Sequence, residues 1–212
     1  MNLVVIGATR GTGQRVLEQA ILMGHKVTAI ARRPEAILLK HENLTVKQGD
    51  AYDLASLKAS IAGQDVVISS LGLNDFKTIF RVPTIYSIGT GNVIRAMEAQ
   101  GVKRLITITS SGVREGDPAE PGWYRNLIKP VFLDRMYQDM RRLEKILPTT
   151  KLEWIAVRPT YLTNGPLTGN YRVEINQWPA GGWKISRSDV AHFMLNQLTS
   201  DRYVSTGAVL AY

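Results

Sequence analysis

The chain has 212 residues, 44% of them hydrophobic, which is enough for one well-filled core and suits a single domain. It has no Cys, which excludes a disulfide framework, a thiolate zinc cluster and a thiol nucleophile. A formal charge of +8 favours anionic partners, but the basic residues fall in short pairs such as Arg32-Arg33 and Arg141-Arg142 without a nucleic-acid motif, so no nucleic-acid partner is expected.

Met1 and Asn2 lead directly into the apolar run Leu3 to Ile6, leaving no room for a secretory signal, and no apolar run approaches membrane-spanning length. A cytoplasmic protein with no membrane partner is expected. The strand-like run LVVIG opens the chain and ends in the glycine turn GATRGTG, Gly7 to Gly13. A helix follows from Gly11 to Met23, with Val16, Leu17, Ala20 and Ile21 on one face and Gly24 as its stop. The runs KVTAIA, LTVKQG, DVVISSL, RLITITS and EWIAVRP come next, with helical patterns between them at Gly89 to Gln100 and Leu133 to Leu147. Their nearly continuous apolar character marks strands buried on both faces. The alternation predicts an α/β fold, a Rossmann-type doubly wound parallel sheet in a single domain.

After Ser111 the rhythm breaks. GVREGDPAEPGWYRNLIKP reads as a long loop, a flap at about 112–130, placed where ligands of such sheets bind. A second irregular stretch, TYLTNGPLTGNY, follows the sixth strand, and ISRSDVAHFML then begins a helix near the C-terminal end.

A strand, a glycine turn and a helix in that order let backbone N–H groups and the helix N-terminus meet a pyrophosphate, so the turn is read as a dinucleotide site. The end of the second strand selects the dinucleotide. It carries Arg32 and Arg33 where a carboxylate would hold the ribose of NAD, and guanidinium groups suit the 2′-phosphate of NADP. Arg10, inside the turn, is a further candidate for that phosphate. Asp50 stands where an adenine amino group would find an acceptor, or it caps the helix that starts near Asp53. Leu71 and Gly72 stand beside the adenosine ribose. His25, His41 and His192 are too widely spaced for a metal site, and none is expected.

GATRGTG, ARR, GDAYD, SSLG, TITSSG, VRPTYL, GPLTGNY and ISRSDVAHFML, in that order, resemble an atypical short-chain dehydrogenase/reductase of the NAD(P)H-binding type. Among these, the last two motifs most resemble the NADPH-dependent flavin reductase and biliverdin-IXβ reductase family. The resemblance implies a monomer with NADP(H) along the carboxyl edge of the sheet and a shallow pocket for a small-molecule acceptor, a flavin or a linear tetrapyrrole. It matches Gly7, Thr9, Arg10, Gly11 and Thr12 to the phosphate turn, Arg32 to the 2′-phosphate, and Asp50, Ala51, Leu71 and Gly72 to the adenosine. Thr109 and Ser110 match the strand end where the family's serine lies beside nicotinamide and substrate.

The chain also departs from its relatives. The Tyr-x-x-x-Lys pair of ordinary short-chain dehydrogenases is met only by Tyr137 and Arg141, and arginine does not cycle its proton, so alcohol oxidation is disfavoured. Tyr161 stands where vertebrate flavin reductases carry a histidine, and Gly116-Asp117-Pro118 matches the family's Trp-Asp-Pro in part. A flavin accepts hydride as an electron-poor ring, so stacking in register matters more than a strong acid. Ser110 and Tyr161 are the catalytic candidates, Ser110 either orienting the nicotinamide amide or satisfying backbone at the strand end. Pro159, Tyr161 and Leu162 would back the nicotinamide. Trp123 and Tyr124 would stack on the acceptor, or Trp123 would anchor the flap, while Arg125 or Lys129 would meet its acidic groups. Other readings are an NADP(H)-binding redox sensor without turnover, a quinone reductase, and an RNA-associated factor using the positive charge.

Overall fold

A computed structural model describes residues 1–73, 83–117, 119–120 and 122–212. Six strands pair in parallel: β1 (Asn2–Ile6), β2 (Lys26–Ala31), β3 (Leu44–Gln48), β4 (Val66–Ser69), β5 (Arg104–Ile108) and β6 (Glu153–Pro159). With β8 (Arg172–Ile175) and β10 (Thr206–Ala211) they form an eight-stranded sheet ordered β3-β2-β1-β4-β5-β6-β10-β8, in which β8 alone runs antiparallel to its neighbour. A separate parallel pair joins β7 (Tyr161–Thr163) to β9 (Lys184–Ser186).

The uninterrupted apolar runs explain the layering. Along β1, Leu3 and Val5 face helices α1 (Gly11–Leu22) and α5 (Arg187–Asn196), while Val4 and Ile6 face α2 (Leu54–Ile61), α3 (Thr90–Gln100) and α4 (Asp134–Ile146). A strand with both faces covered needs no polar alternation. The single doubly wound domain expected from the sequence is the one observed. The last quarter of the sheet was not foreseen. β8 is an edge strand with exposed residues and lacks the buried-strand pattern, whereas β10 is buried along five of its six residues but lies at the very end of the chain, outside the runs read as strands.

The stretch read as a loop is partly helical. Ser111–Val113 form a 3-10 turn, and Tyr124–Leu133 form a wide π-type helix running into α4. Buried charge anchors it. The Asp117 carboxylate accepts from the backbone N–H groups of Ala119 and Trp178, at 3.0 and 2.8 Å. Lys129 Nζ donates to Glu120 at 3.0 Å and to the Arg114 carbonyl at 2.8 Å. Lys129 is therefore turned inward, away from any acceptor. Of the partial Gly116-Asp117-Pro118 match, Pro118 lies outside the described residues.

The motif ISRSDVAHFML is an architectural clasp. Ser186 caps α5, its hydroxyl accepting from Asp189 N–H at 2.9 Å and donating to the Pro166 carbonyl at 2.8 Å. The fully buried Asp189 carboxylate takes Thr168 N–H, Thr168 Oγ1, Gly169 N–H, Ser186 Oγ and the Tyr212 hydroxyl. Thus GPLTGNY is tied to the start of α5. Among the described residues no helix is long and apolar enough to cross a membrane.

Candidate functional site

The strand order reverses direction between β1 and β4, and in open α/β sheets the crevice beyond such a switch point is where ligands bind. The glycine turn lies in this crevice. Gly7 has φ +83° and passes so close to β4 that a Cβ there would clash with the Ser70 carbonyl oxygen. Gly13 packs against the Gly7 carbonyl, which leaves no room for a side chain and brings α1 down onto the turn. Arg10, the residue before α1, is extended; the helix has no side-chain cap and no acid in its first turn. Its leading N–H groups thus form an anion site without a protein acceptor from a capping side chain, as a dinucleotide diphosphate requires.

Around that turn, Thr12 is buried and Thr9 half-buried. Arg32 and Arg33 are exposed at the end of β2, and neither makes an ion pair among the described residues. Asp50 does not cap α2. Its carboxylate accepts Tyr52 N–H at 3.0 Å, while Asp53 caps the helix through Ala55 N–H at 2.9 Å. Ala51 is buried, and its carbonyl accepts Asn92 Nδ2 at 2.9 Å, which fixes the backbone after β3 against α3. Leu71 and Gly72 are half-buried beyond β4.

A residue missed in the sequence stands over this turn. Arg187, at the start of α5, passes so close that a Cβ on Gly11 would lie 3.6 Å from its Nε. Its guanidinium then reaches the Leu162 carbonyl at 3.3 Å and Asn164 Oδ1 at 2.8 Å, linking the turn to the segment expected to back the nicotinamide.

At the other end of the crevice, Ser110 follows β5 and its hydroxyl accepts Gly112 N–H at 3.4 Å. It also hydrogen-bonds the buried phenol of Tyr137 on α4, whose hydroxyl meets that of Tyr124. Burial raises the Tyr137 pKa, and the bonds from Tyr124 and Ser110 offset that only in part. Burial, with the neighbouring Tyr137, raises Tyr124 as well. Both phenols stay protonated around neutral pH. Arg141 is turned aside into ion pairs with Glu115 at 2.9 Å and Asp134 at 3.1 Å. The lysine-assisted tyrosinate relay is therefore absent here, and the tyrosine pKa moves in the opposite direction.

Two of the expected site residues have their hydroxyls engaged within the fold. Thr109 is buried, and its hydroxyl donates to Glu144 at 2.7 Å. Tyr124 is buried with its hydroxyl at Tyr137, which makes it a support for that phenol and leaves no open ring face for stacking.

The open ring surface lies beside it. Trp123, 57% exposed, packs on Trp183 at 4.9 Å, and Tyr161, 61% exposed, lies parallel to Trp183 at 6.1 Å. The buried Trp178 stacks behind Trp183 at 6.3 Å. Trp123 therefore both anchors the flap and presents a face. Arg125 is exposed next to it, Pro159 is buried at the end of β6, and Leu162 is half-buried. Trp178 and Trp183 had no periodic signal in the sequence, since both sit in irregular backbone. His192 meets the Tyr171 hydroxyl at 2.8 Å, and no group of metal-binding side chains exists among the described residues.

The profile of a family described as NAD(P)H-binding matches residues 7–201. Over 209 residues the chain is 27% identical to an uncharacterized chloroplastic protein of Arabidopsis thaliana, covering 94% of this chain and 72% of the relative. It is 25% identical over 243 residues to reductase pytE of Aspergillus terreus, covering 93% and 91%. A solved Rossmann-fold NAD(P)-binding family protein from Shigella flexneri superposes with a TM-score of 0.74 at 25% identity, covering 99% of this chain and 92% of that one.

Proposed function

The chain belongs to the NAD(P)H-binding family, and from that premise we propose that it is an NADPH-dependent reductase of a flat, conjugated acceptor, a flavin or a biliverdin-type tetrapyrrole. The observation that carries this reading is the pair of exposed rings, Trp123 and Tyr161, held on the half-buried Trp183 and joined through Tyr124 to Tyr137, which suits a planar ring more than a small alcohol or ketone. The raised Tyr137 pKa argues against alcohol oxidation, which would draw on a tyrosinate base.

NADPH, when bound, supplies the hydride. The uncapped start of α1 would hold its diphosphate and the exposed Arg32, with Arg33 and Arg10 nearby, its 2′-phosphate. Asp50, Ala51, Leu71 and Gly72 would frame the adenosine. Pro159 and Leu162 would back the nicotinamide, with Ser110 orienting its amide. Tyr137 holds a proton on its hydroxyl, hydrogen-bonded to Ser110, from which a proton could pass to the reduced acceptor; Tyr161 and solvent are alternative donors. Residues 112–130 would form the wall over the acceptor. The acceptor gains one hydride and one proton, and NADP+ leaves. A cytoplasmic monomer goes with this reading.

Steady-state NADPH consumption with FMN, biliverdin IXβ and a simple quinone in parallel tests it. Turnover with flavin or biliverdin is expected, and Trp183→Ala is expected to raise the KM for that acceptor about tenfold while NADPH affinity holds. Tight NADPH binding with no turnover would move the reading to a redox sensor. Turnover with the quinone alone would identify a quinone reductase.

A further inference from the structure

Basic residues that are scattered in sequence converge at a second place. Between α4, the end of β6 and the residue after β8 lies a cleft of about 440 Å3, lined by Arg114, Arg141, Glu144, Lys145, Arg158 and Asn176. Four cations face one carboxylate. Arg158 is held by Glu144 through two bonds of 2.9 and 2.6 Å, and Arg141 by Glu115 and Asp134. Arg114 and Lys145 have no carboxylate partner among the described residues; the Arg114 guanidinium donates to the neutral carbonyl of Asn176.

Arg158 and Arg141 are thus neutralised by carboxylates, and the uncompensated charge of the cleft is that of Arg114 and Lys145. Arg141 and Lys145 are four residues apart on α4, a like-charge spacing that weakens a helix. Asn176 adopts φ +57°, which few side chains tolerate, and in that conformation its carbonyl meets Arg114 while its Oδ1 accepts Arg158 Nη1 at 3.0 Å and Gly207 N–H at 3.1 Å. The cations are thus held around an open space, and the field in such a cleft concentrates anions. Val113 and the alkyl stems of the basic side chains add apolar surface to the lining beside the charged groups. The glycine turn lies beyond β1, and β4 and β5 separate it from β6, so the cleft is not the cofactor's phosphate site.

We propose that this cleft is a second anion site, which binds a compact polyanion bearing phosphate or carboxylate groups. The anion is either a free small molecule or the acidic tail of the acceptor, and only the second alternative rests on the reductase reading.

The test is calorimetric titration of the NADP+-saturated protein with inorganic pyrophosphate and with citrate at low ionic strength. Saturable binding is expected, weakened about tenfold or more in Arg114→Gln/Lys145→Gln and unaltered in Lys40→Gln, an exposed position between β2 and β3. Lys145→Gln alone, on an exposed position, guards against misfolding and should weaken binding in the same direction. Absence of saturable binding, or equal affinity in wild type and the double variant, overturns the proposal. Comparison of FMN with riboflavin separates the sources. A lower KM for FMN that vanishes in the double variant assigns the cleft to the acceptor's phosphate, whereas equal KM values alongside pyrophosphate binding assign it to a free anion. Should neither flavin nor biliverdin IXβ be reduced, the reductase reading fails while the titration still decides the cleft.

Discussion

Asp189→Ala is expected to lower the free energy of unfolding by about 3–5 kcal/mol at neutral pH, measured by urea denaturation. The carboxylate is fully buried and accepts from Thr168 N–H, Thr168 Oγ1 and Gly169 N–H, each at 2.8 Å, and from Ser186 Oγ at 3.1 Å and the Tyr212 hydroxyl at 2.6 Å. Removing it leaves Thr168 N–H, Thr168 Oγ1, Gly169 N–H and the Tyr212 hydroxyl without this acceptor, while Ser186 Oγ keeps the Pro166 carbonyl. Burial alone would raise the Asp189 pKa, but the bonds from Tyr212, Gly169 and Thr168 outweigh it and hold the group below its ordinary 3.8. The folded pKa is depressed, so this stabilisation is fully present above pH 3.8 and is lost as pH falls through the folded value. Asp189→Asn should therefore be less stable than wild type at pH 7, with the gap narrowing below about pH 4. A variant as stable as wild type at neutral pH would show that the clasp contributes nothing.

Arg32→Ala is expected to weaken NADPH binding about 10- to 100-fold and to leave NADH binding unchanged. Arg32 is exposed at the carboxyl end of β2 and makes no ion pair among the described residues, so its removal costs the fold little. A loss confined to the 2′-phosphorylated cofactor separates a specific contact from a general loss of positive charge. An equal loss for both cofactors, or none, would reassign the 2′-phosphate to Arg10 or Arg33.

The cofactor half was legible because its signals are local. A strand, a turn that admits only glycine at Gly7 and Gly13, and a helix without a cap are contiguous in sequence, and Arg32 follows the next strand directly. The acceptor half was less legible because it is assembled from distant pieces. Tyr161 and Trp183 meet through the β7–β9 pairing, and Trp123 joins them from the start of the helix that leads into α4. The spacing of Tyr137 and Arg141 was visible, but only the fold shows Tyr137 against Ser110 and Arg141 turned toward Glu115 and Asp134. Ion pairing hid the role of Lys129, which reads as a surface cation and is buried against Glu120. The charged cleft gathers residues from the flap, α4, β6 and the end of β8, and no window of sequence contains them together.

The central claim is that hydride passes from NADPH to a planar acceptor lying against the ring cluster that Trp183 supports. Anaerobic single-turnover mixing of the protein with FMN and either NADPH or NADPH deuterated at nicotinamide C4 tests it most directly. Loss of the flavin's visible absorbance is predicted, slower with the deuterated cofactor and slower again in Trp183→Ala. Stoichiometric NADPH binding without loss of flavin absorbance, and without reduction of biliverdin IXβ mixed in its place, would contradict the account.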